Sequence, residues 1–428
     1  MKNRKSFPLY RWWRGLRAGH RGLIILAILV TIPASGQLAD RLARHPNPPD
    51  LTNLLSAAKA PIAGSKLTLC VDGPEFMAAL AVDMANAKKR VVVQTLAFEA
   101  DPAGLALARA LLDSPAPDRR LLIDDYSRLV QSDKVVGAPN RLFDVDLVHE
   151  AEQTRTLITQ LRAHGVDVRY GRPMGLDEAG RRARDHKKLV VVDDNVAYVG
   201  GINFSEHNFL WHDLMLRVAT PGTAEFLAAD FDRTWRAEEV TAPAHQKFEG
   251  IELVCAIGDG DDAIEEAITA AIGNARRSLI LECPYITEPY LTLLGEARSR
   301  GVEVTIITSE SINRACMKQS IMAACRQYDL QMRLLPGPMT HVKALLADGE
   351  TLMLGSANFD FLSASLQPEI LAVVNDAALV ADFEKRVMGP DLAASRIWQP
   401  EETNEAITGL SAGLIDLAGN FLLALHGQ

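Results

Sequence analysis

The sequence predicts a duplicated α/β fold in which two similar halves build one shared site. Strand-like and helix-like segments alternate from Lys66 onward, and the same element order runs twice. A short pattern also recurs, once in each run. It reads His186-x-Lys188-x4-Asp193-x6-Gly200-x2-Asn203, then His341-x-Lys343-x4-Asp348-x6-Gly355-x2-Asn358, 155 positions later. Five residue types at identical spacing is roughly a one-in-ten-thousand coincidence for one copy and far rarer for two.

In the first half, a strand is expected over 66–71, a turn at Asp72-Gly73 and an amphipathic helix over 74–88 with Pro74 in its first turn. A buried strand over 90–98, a helix over 103–112 and a strand over 120–125 follow. Residues 126–149 read as an irregular insertion, succeeded by a helix over 150–163 and a strand over 166–170. The stretch 171–185 reads as a loop. Its Arg181, Arg182 and Arg184 form either a solvated surface or a patch that steers phosphate or lipid headgroups. The first pattern then supplies a strand over 189–192 and its partner over 196–199.

The second half repeats this order. Strands are expected at 251–257, 278–286, 302–308 and 330–335, with helices at 261–276, 288–299 and 312–328, before the second pattern opens at His341. Alternation of this kind places helices on both faces of a largely parallel or mixed sheet. The expected divisions are an N-terminal segment over 1–40, a Pro-rich linker over 41–63, halves over 64–242 and 243–400, and a helical tail over 401–428. Apolar residues at near-helical spacing in the tail suit packing on the body or contact with a membrane surface.

Composition narrows the class. At 428 residues, with 48% hydrophobic and 23% charged, the chain reads as folded rather than disordered. A formal net charge of −9 argues against a dedicated nucleic-acid binder, which usually meets phosphate with a basic surface. The five cysteines show no zinc-type spacing, their odd count gives no disulfide framework, and four of them, in or beside apolar runs, read as core hydrophobes. Neither a metal nor a cofactor is called for.

Seven Lys or Arg and no acid lie within the first 21 residues, followed by an uncharged run over 22–39 that is strongly apolar from Leu23 to Ile32. This order marks an uncleaved membrane anchor, a cleaved export signal at Ala34-Ser35-Gly36, or a buried interfacial helix, ranked in that order. An anchor keeps the positive flank cytoplasmic and puts the rest of the chain outside. A cleaved signal gives a secreted protein.

The duplicated pattern suits a phosphodiester. On a strand, His and Lys two positions apart point to one face, and Gly200 and Gly355 are expected to make close turns that return Asn203 and Asn358 to the same place. Lysine ammonium and asparagine amide groups stabilise the non-bridging oxygens of a five-coordinate phosphorus. One imidazole attacks, the other protonates the leaving alcohol and then activates an incoming alcohol or water. Each histidine needs a carboxylate to fix its tautomer. Asp213, 27 residues after His186, and Glu369, 28 after His341, supply one such acid per half. Asp193 and Asp348 end strands at turns, which favours a turn-stabilising role.

At these residues the sequence resembles the phospholipase D superfamily, from about Lys66 to Pro390. Gly200-Gly201-Ile202-Asn203 and Gly355-Ser356-Ala357-Asn358 both fit its signature. The surroundings resemble the bacterial cardiolipin synthase branch: Trp211-His212-Asp213, Phe231 with Trp235, and Asn358-Phe359-Asp360 leading to Glu369. The resemblance implies a duplicated α-β-α sandwich with one active site between the halves. It also implies His186 as nucleophile and His341 as general acid and base. A membrane-surface enzyme acting on a glycerophospholipid, with alcohol or water as acceptor, is the expectation. A nuclease of the same superfamily and a non-catalytic membrane-anchored module are the alternatives. Leu362, Gln367-Pro368 and Asn208-Phe209 depart from what the branch usually carries, and these departures bear on acceptor choice.

Overall fold

The computed structural model describes residues 50–60, 66–136, 144–173, 184–258, 260–403, 409 and 411–415. The basic and apolar N-terminal stretch, Arg181, Arg182 and most of the tail lie outside the described residues. Among the described residues no helix is long and apolar enough to cross a membrane.

The first half opens with β1 (Leu67–Val71), β2 (Arg90–Thr95) and β3 (Asp118–Asp124). A short pair, β4 (Val130–Gln131) and β5 (Lys134–Val135), stands in the expected insertion, and β6 (Asp167–Gly171), β7 (Leu189–Val192), β8 (Val196–Gly200) and β9 (Leu214–Val218) complete the half. The second half carries β10 (Ala244–Phe248), β11 (Ile251–Cys255), β12 (Ser278–Glu282), β13 (Glu303–Ser309) and β14 (Gln331–Leu335). It ends with β15 (Ala344–Ala347), β16 (Thr351–Gly355), β17 (Ile370–Val374) and β18 (Arg396–Ile397).

Two mixed sheets result. The first runs β1-β9-β8-β7-β2-β3-β6 and the second β10-β11-β17-β16-β15-β12-β13-β14-β18. Without its two edge strands, the second order repeats the first strand for strand. Each pairing also keeps its sense: β2, β3 and β6 are parallel, as are β12, β13 and β14, and the rest are antiparallel.

Side-chain alternation explains how the sheets meet. On β7, Leu189 and Val191 face a central core while Val190 and Val192 face the first half's outer helices. On β15, Ala344 and Leu346 enter that same central core and Leu345 and Ala347 face the second half's outer helices. The central core therefore belongs to both halves, and helices Thr223–Trp235 and Ala377–Phe383 pack into it from either side. Burying one face of each sheet against the other is what fixes the relative position of the two patterns.

Some element bounds differ from the expectation. The helix expected from residue 150 starts at Val145, because the Asp144 carboxylate caps it by accepting from the Leu147 N–H at 3.2 Å. The His-x-Lys segments are not strand. β7 and β15 begin only after Lys188 and Lys343, since each histidine N–H is committed to the opposite half. Gly200 and Gly355 end β8 and β16 without left-handed backbone. They are glycine for another reason: a Cβ would overlap the carbonyl oxygens of Leu214 and Ile370 on the neighbouring strands. All five cysteines are free, four of them buried.

Candidate active site

The turns after β7 and β15 are built alike. Asp193 and Asp348 sit at φ 52 and 56, a left-handed conformation that aspartate tolerates better than most residues. The Asp193 carboxylate accepts from the N–H groups of Lys88, Lys89 and Arg90, and Asp348 accepts from Arg276, Arg277 and Ser278. Each aspartate so ties its turn to the first residue of the adjacent strand, away from the histidines. Their carboxyls are held below the usual range, burial being outweighed by those backbone donors.

At the other end of these strands the two halves meet. The His186 N–H donates to Pro368 O at 3.1 Å, and the His341 N–H to His212 O at 2.7 Å. The residue after each acceptor is the candidate acid. The sequence offsets assign Asp213 and Glu369 to the histidine of their own half; the structure crosses them. His186 Nδ1 lies 2.9 Å from Glu369 Oε1, and His341 Nδ1 lies 2.7 Å from Asp213 Oδ2. The backbone bridge delivers each acid across the interface, which sequence offset alone does not reveal. All four groups are buried.

The position after each motif glycine is adapted to its acid. A Cβ on Gly201 would occupy the space of the Asp213 carboxylate. At the matching place Ser356 uses its hydroxyl to donate to Glu369 Oε2, and Ser363 Oγ donates to Glu369 Oε1 at 2.6 Å. Both carboxylates remain ionised: burial pushes them up, but Lys343 and His341 hold Asp213 down, and His186 and Lys188 hold Glu369 down.

The imidazoles move the other way. Burial, then Lys343, lowers His341 to about 4, and burial lowers His186 against the pull of Glu369. Two neutral rings, each sharing its Nδ1 proton with a carboxylate, present Nε2 for chemistry, that of His341 lying 3.2 Å from Lys343 Nζ. Lys188 Nζ and Lys343 Nζ donate to their own histidine carbonyls at 2.7 and 2.6 Å. Burial lowers the Lys188 ammonium to about 7.

The two asparagines differ. Asn203 donates from Nδ2 to Asn208 Oδ1 at 2.8 Å, and its Oδ1 accepts from Thr95 Oγ1 at 3.3 Å. The buried Oδ1 of Asn358 has no hydrogen-bond partner among the described residues. Trp211 lies 4.9 Å from the His341 ring and Tyr285 6.3 Å from it, centroid to centroid. Trp235 is a core residue stacked on Phe231, away from the histidines. Arg184 binds Asp124 and the Arg172 carbonyl.

Sequence reasoning missed a partly buried network behind His341. His212 bonds Asp72 at 2.7 Å and Asp391 at 3.2 Å, and Thr340 Oγ1 donates to Glu282 at 2.5 Å. Burial lowers His212, but Asp391 and Asp72 outweigh it and raise the ring to about 11. Only His212 carried a local signal, through its place beside Asp213; Glu282 and Asp391 come from distant segments. Among the described residues, His212, Glu282 and Asp391 have metal-ligand proximity, although both His212 nitrogens are already engaged.

The sequence matches the family described as cardiolipin synthase, PLD-like domain, over residues 80–235 and 268–388. The chain belongs to that family. Both stretches of the cardiolipin synthase PLD-like match include one copy of the pattern. The chain is 28% identical over 271 residues to cardiolipin synthase A of Erwinia tasmaniensis, covering 55% of this chain and 54% of that protein. It is 25% identical over 388 residues to cardiolipin synthase A of Salmonella paratyphi A, covering 82% and 74%. The chain thus spans about half the length of the Erwinia relative. Phosphatidylserine synthase of Haemophilus influenzae shares the fold, with TM-score 0.64 and 13% identity over 84% of this chain and 94% of that one.

Proposed function

We propose that this chain is a phosphatidyltransferase of the cardiolipin synthase type, acting on a glycerophospholipid at a membrane surface through a phosphohistidine. One observation carries the reading: two buried His–carboxylate pairs, each completed across the interface between the halves. The basic and then apolar N-terminus supports a membrane location with the catalytic part outside the cytoplasm.

The charges of the site suit an anionic substrate. A phosphodiester between Lys188 and Lys343 offsets their charge, which raises both histidines and lets one take a proton. In the first step His186 Nε2 attacks phosphorus and the bond from phosphorus to the headgroup oxygen breaks. That oxygen takes the proton from His341 Nε2. In the second step His341 removes the proton of an incoming alcohol or water, whose oxygen displaces His186. Asn358 and the lysines stabilise the equatorial oxygens, and Glu369 and Asp213 stabilise each ring when it carries charge.

The test is incubation of detergent-solubilised protein with phosphatidylglycerol and phosphatidylethanolamine, with products identified by mass spectrometry. Cardiolipin, phosphatidic acid and free headgroup are expected, and none with His186→Ala. Undiminished turnover in that variant, or cleavage of single-stranded DNA in place of lipid, would overturn the reading.

A further inference from the structure

The two histidines carry unequal tasks. A nucleophile is fixed by the bond it forms to phosphorus. A general acid and base has to keep Nε2 aimed at an alcohol that departs and is replaced, so its mounting has to be rigid. The mounting of His341 is unlike that of His186.

His341 stands between two clamped neighbours. The segment 339–341 runs alongside His212, whose N–H donates to Met339 O at 3.0 Å and whose carbonyl accepts from the His341 N–H at 2.7 Å. The His212 ring is held at both ends, Nδ1 at 2.7 Å from Asp72 Oδ1 and Nε2 at 3.2 Å from Asp391 Oδ2. A ring that donates to a carboxylate from each nitrogen is an imidazolium. Asp72 Oδ1 also accepts from the Asp213 N–H at 3.2 Å, so the same carboxylate fixes the residue that orients His341. On the other side, Thr340 Oγ1 donates to Glu282 Oε1 at 2.5 Å. Glu282 is fully buried at the end of β12, and a polar atom from each of His212, Glu282 and Asp391 lies within 4.8 Å of the other two.

The matching positions around His186 lack this network. Glu282 pairs with Ala344 as Gln94 pairs with Leu189, and Ala344 and Leu189 each follow their motif lysine. The Gln94 amide has no hydrogen-bond partner among the described residues. Pro368 takes the place of His212 as acceptor of the histidine N–H, with no side-chain donor to offer. Asp185 takes the place of Thr340, and its carboxylate accepts from the Lys187 N–H at 3.2 Å. The fold therefore forms without such a network at one of its two equivalent places. Only the acid and base has it.

We infer that His212 is a positioning residue for the general acid and base: by bridging Asp72 and Asp391 it locks the backbone that carries His341 and Asp213, and so aims His341 Nε2 at the alcohol. The inference rests on the phosphatidyltransferase reading, in which His341 handles the alcohol's proton. Thr340 and Glu282 hold the same segment from its other side.

The test uses the full chain in detergent with two donors, phosphatidylglycerol and a phosphatidyl ester of nitrophenol. Nitrophenolate leaves without a proton, so with enzyme in excess its release reports attack by His186 alone. Formation of phosphatidic acid reports the later step, which needs His341 as base. In His212→Gln, nitrophenolate release should stay within about threefold of wild type while phosphatidic acid formation falls roughly tenfold to hundredfold, the scale of a misplaced catalytic group. With phosphatidylglycerol, kcat should fall by a similar factor at nearly constant KM. His212→Arg keeps a cation able to serve two carboxylates and should recover most of the lost rate. Thr340→Val, which cuts the second arm, should show the same split between the two steps, and it decides the matter if thermal unfolding shows that His212→Gln does not fold. Both steps slowed in equal proportion, neither step slowed, or no recovery in folded His212→Arg overturns the positioning role and leaves the transferase reading standing. Wild-type protein that releases neither nitrophenolate nor headgroup overturns the transferase reading itself, and the inference with it.

Discussion

Glu369, from the second half, holds the Nδ1 of His186, from the first, at 2.9 Å. The mirror relation joins Asp213 to His341 at 2.7 Å. Neither half therefore contains a finished histidine. Replacing Glu369 by Gln keeps the shape but removes the charge that stabilises an imidazolium and fixes its tautomer. A fall in kcat of about two to four orders of magnitude is expected, with little change in KM. Steady-state kinetics on phosphatidylglycerol would show it, and a kcat within threefold of wild type would contradict the assignment.

Gly201 is the second place where the crossed pairs make a prediction. A methyl group there meets the Asp213 carboxylate, which is already committed to His341. Gly201→Ala should cost at least about tenfold in kcat/KM by displacing the acid that orients His341. The overpacked contact should cost about 1–3 kcal/mol in stability. Urea unfolding and kinetics on the same preparation separate the two effects.

Asp193 is expected to behave differently. It organises a turn by accepting from three backbone N–H groups and touches neither histidine. Asp193→Ala should destabilise the fold by about 1–3 kcal/mol through unsatisfied donors and the left-handed backbone. Turnover per folded molecule should change little. Active-site titration alongside thermal unfolding would distinguish this from a catalytic role.

The depressed histidine predicts a pH dependence of stability. His341 titrates at about 4 when folded, against 6.5 as its ordinary value. Between these values the unfolded chain binds a proton that the folded chain refuses, so stability rises with pH across the window and is lost as pH falls from 6.5 towards 4. The linked loss approaches about 3 kcal/mol. His341→Gln has no basic nitrogen, so its urea midpoint should decline less steeply than that of wild type between pH 6.5 and 4. Parallel declines would contradict the depressed value.

Much of this was legible in the sequence for identifiable reasons. The repeated His, Lys, Asp, Gly and Asn positions mark equivalent points on two sheets whose strand orders coincide. A continuous apolar run located β7 and β8 closely, because strands that bury both faces carry apolar residues at successive positions. The crossing of Asp213 and Glu369 was hidden, since it depends on backbone bonds from His186 to Pro368 and from His341 to His212 that join distant segments. Glycine at 200 and 355 was readable as a requirement, but its cause is a neighbouring strand's carbonyl rather than a turn. Glu282 and Asp391 lie outside any local pattern, and only folding brings them beside His212 and Thr340, the neighbours of His341.

The central claim is that the phosphatidyl group rests on His186 while His341 manages the alcohol's proton. It is tested most directly by quenching the enzyme during turnover of a diester with a good leaving group and mapping the modified residue by mass spectrometry. His341→Ala should accumulate the adduct on His186, because loss of the leaving group no longer needs an acid while release still needs a base. His186→Ala should show none. An adduct on His341, or none in any form of the enzyme that still turns over, would contradict the account.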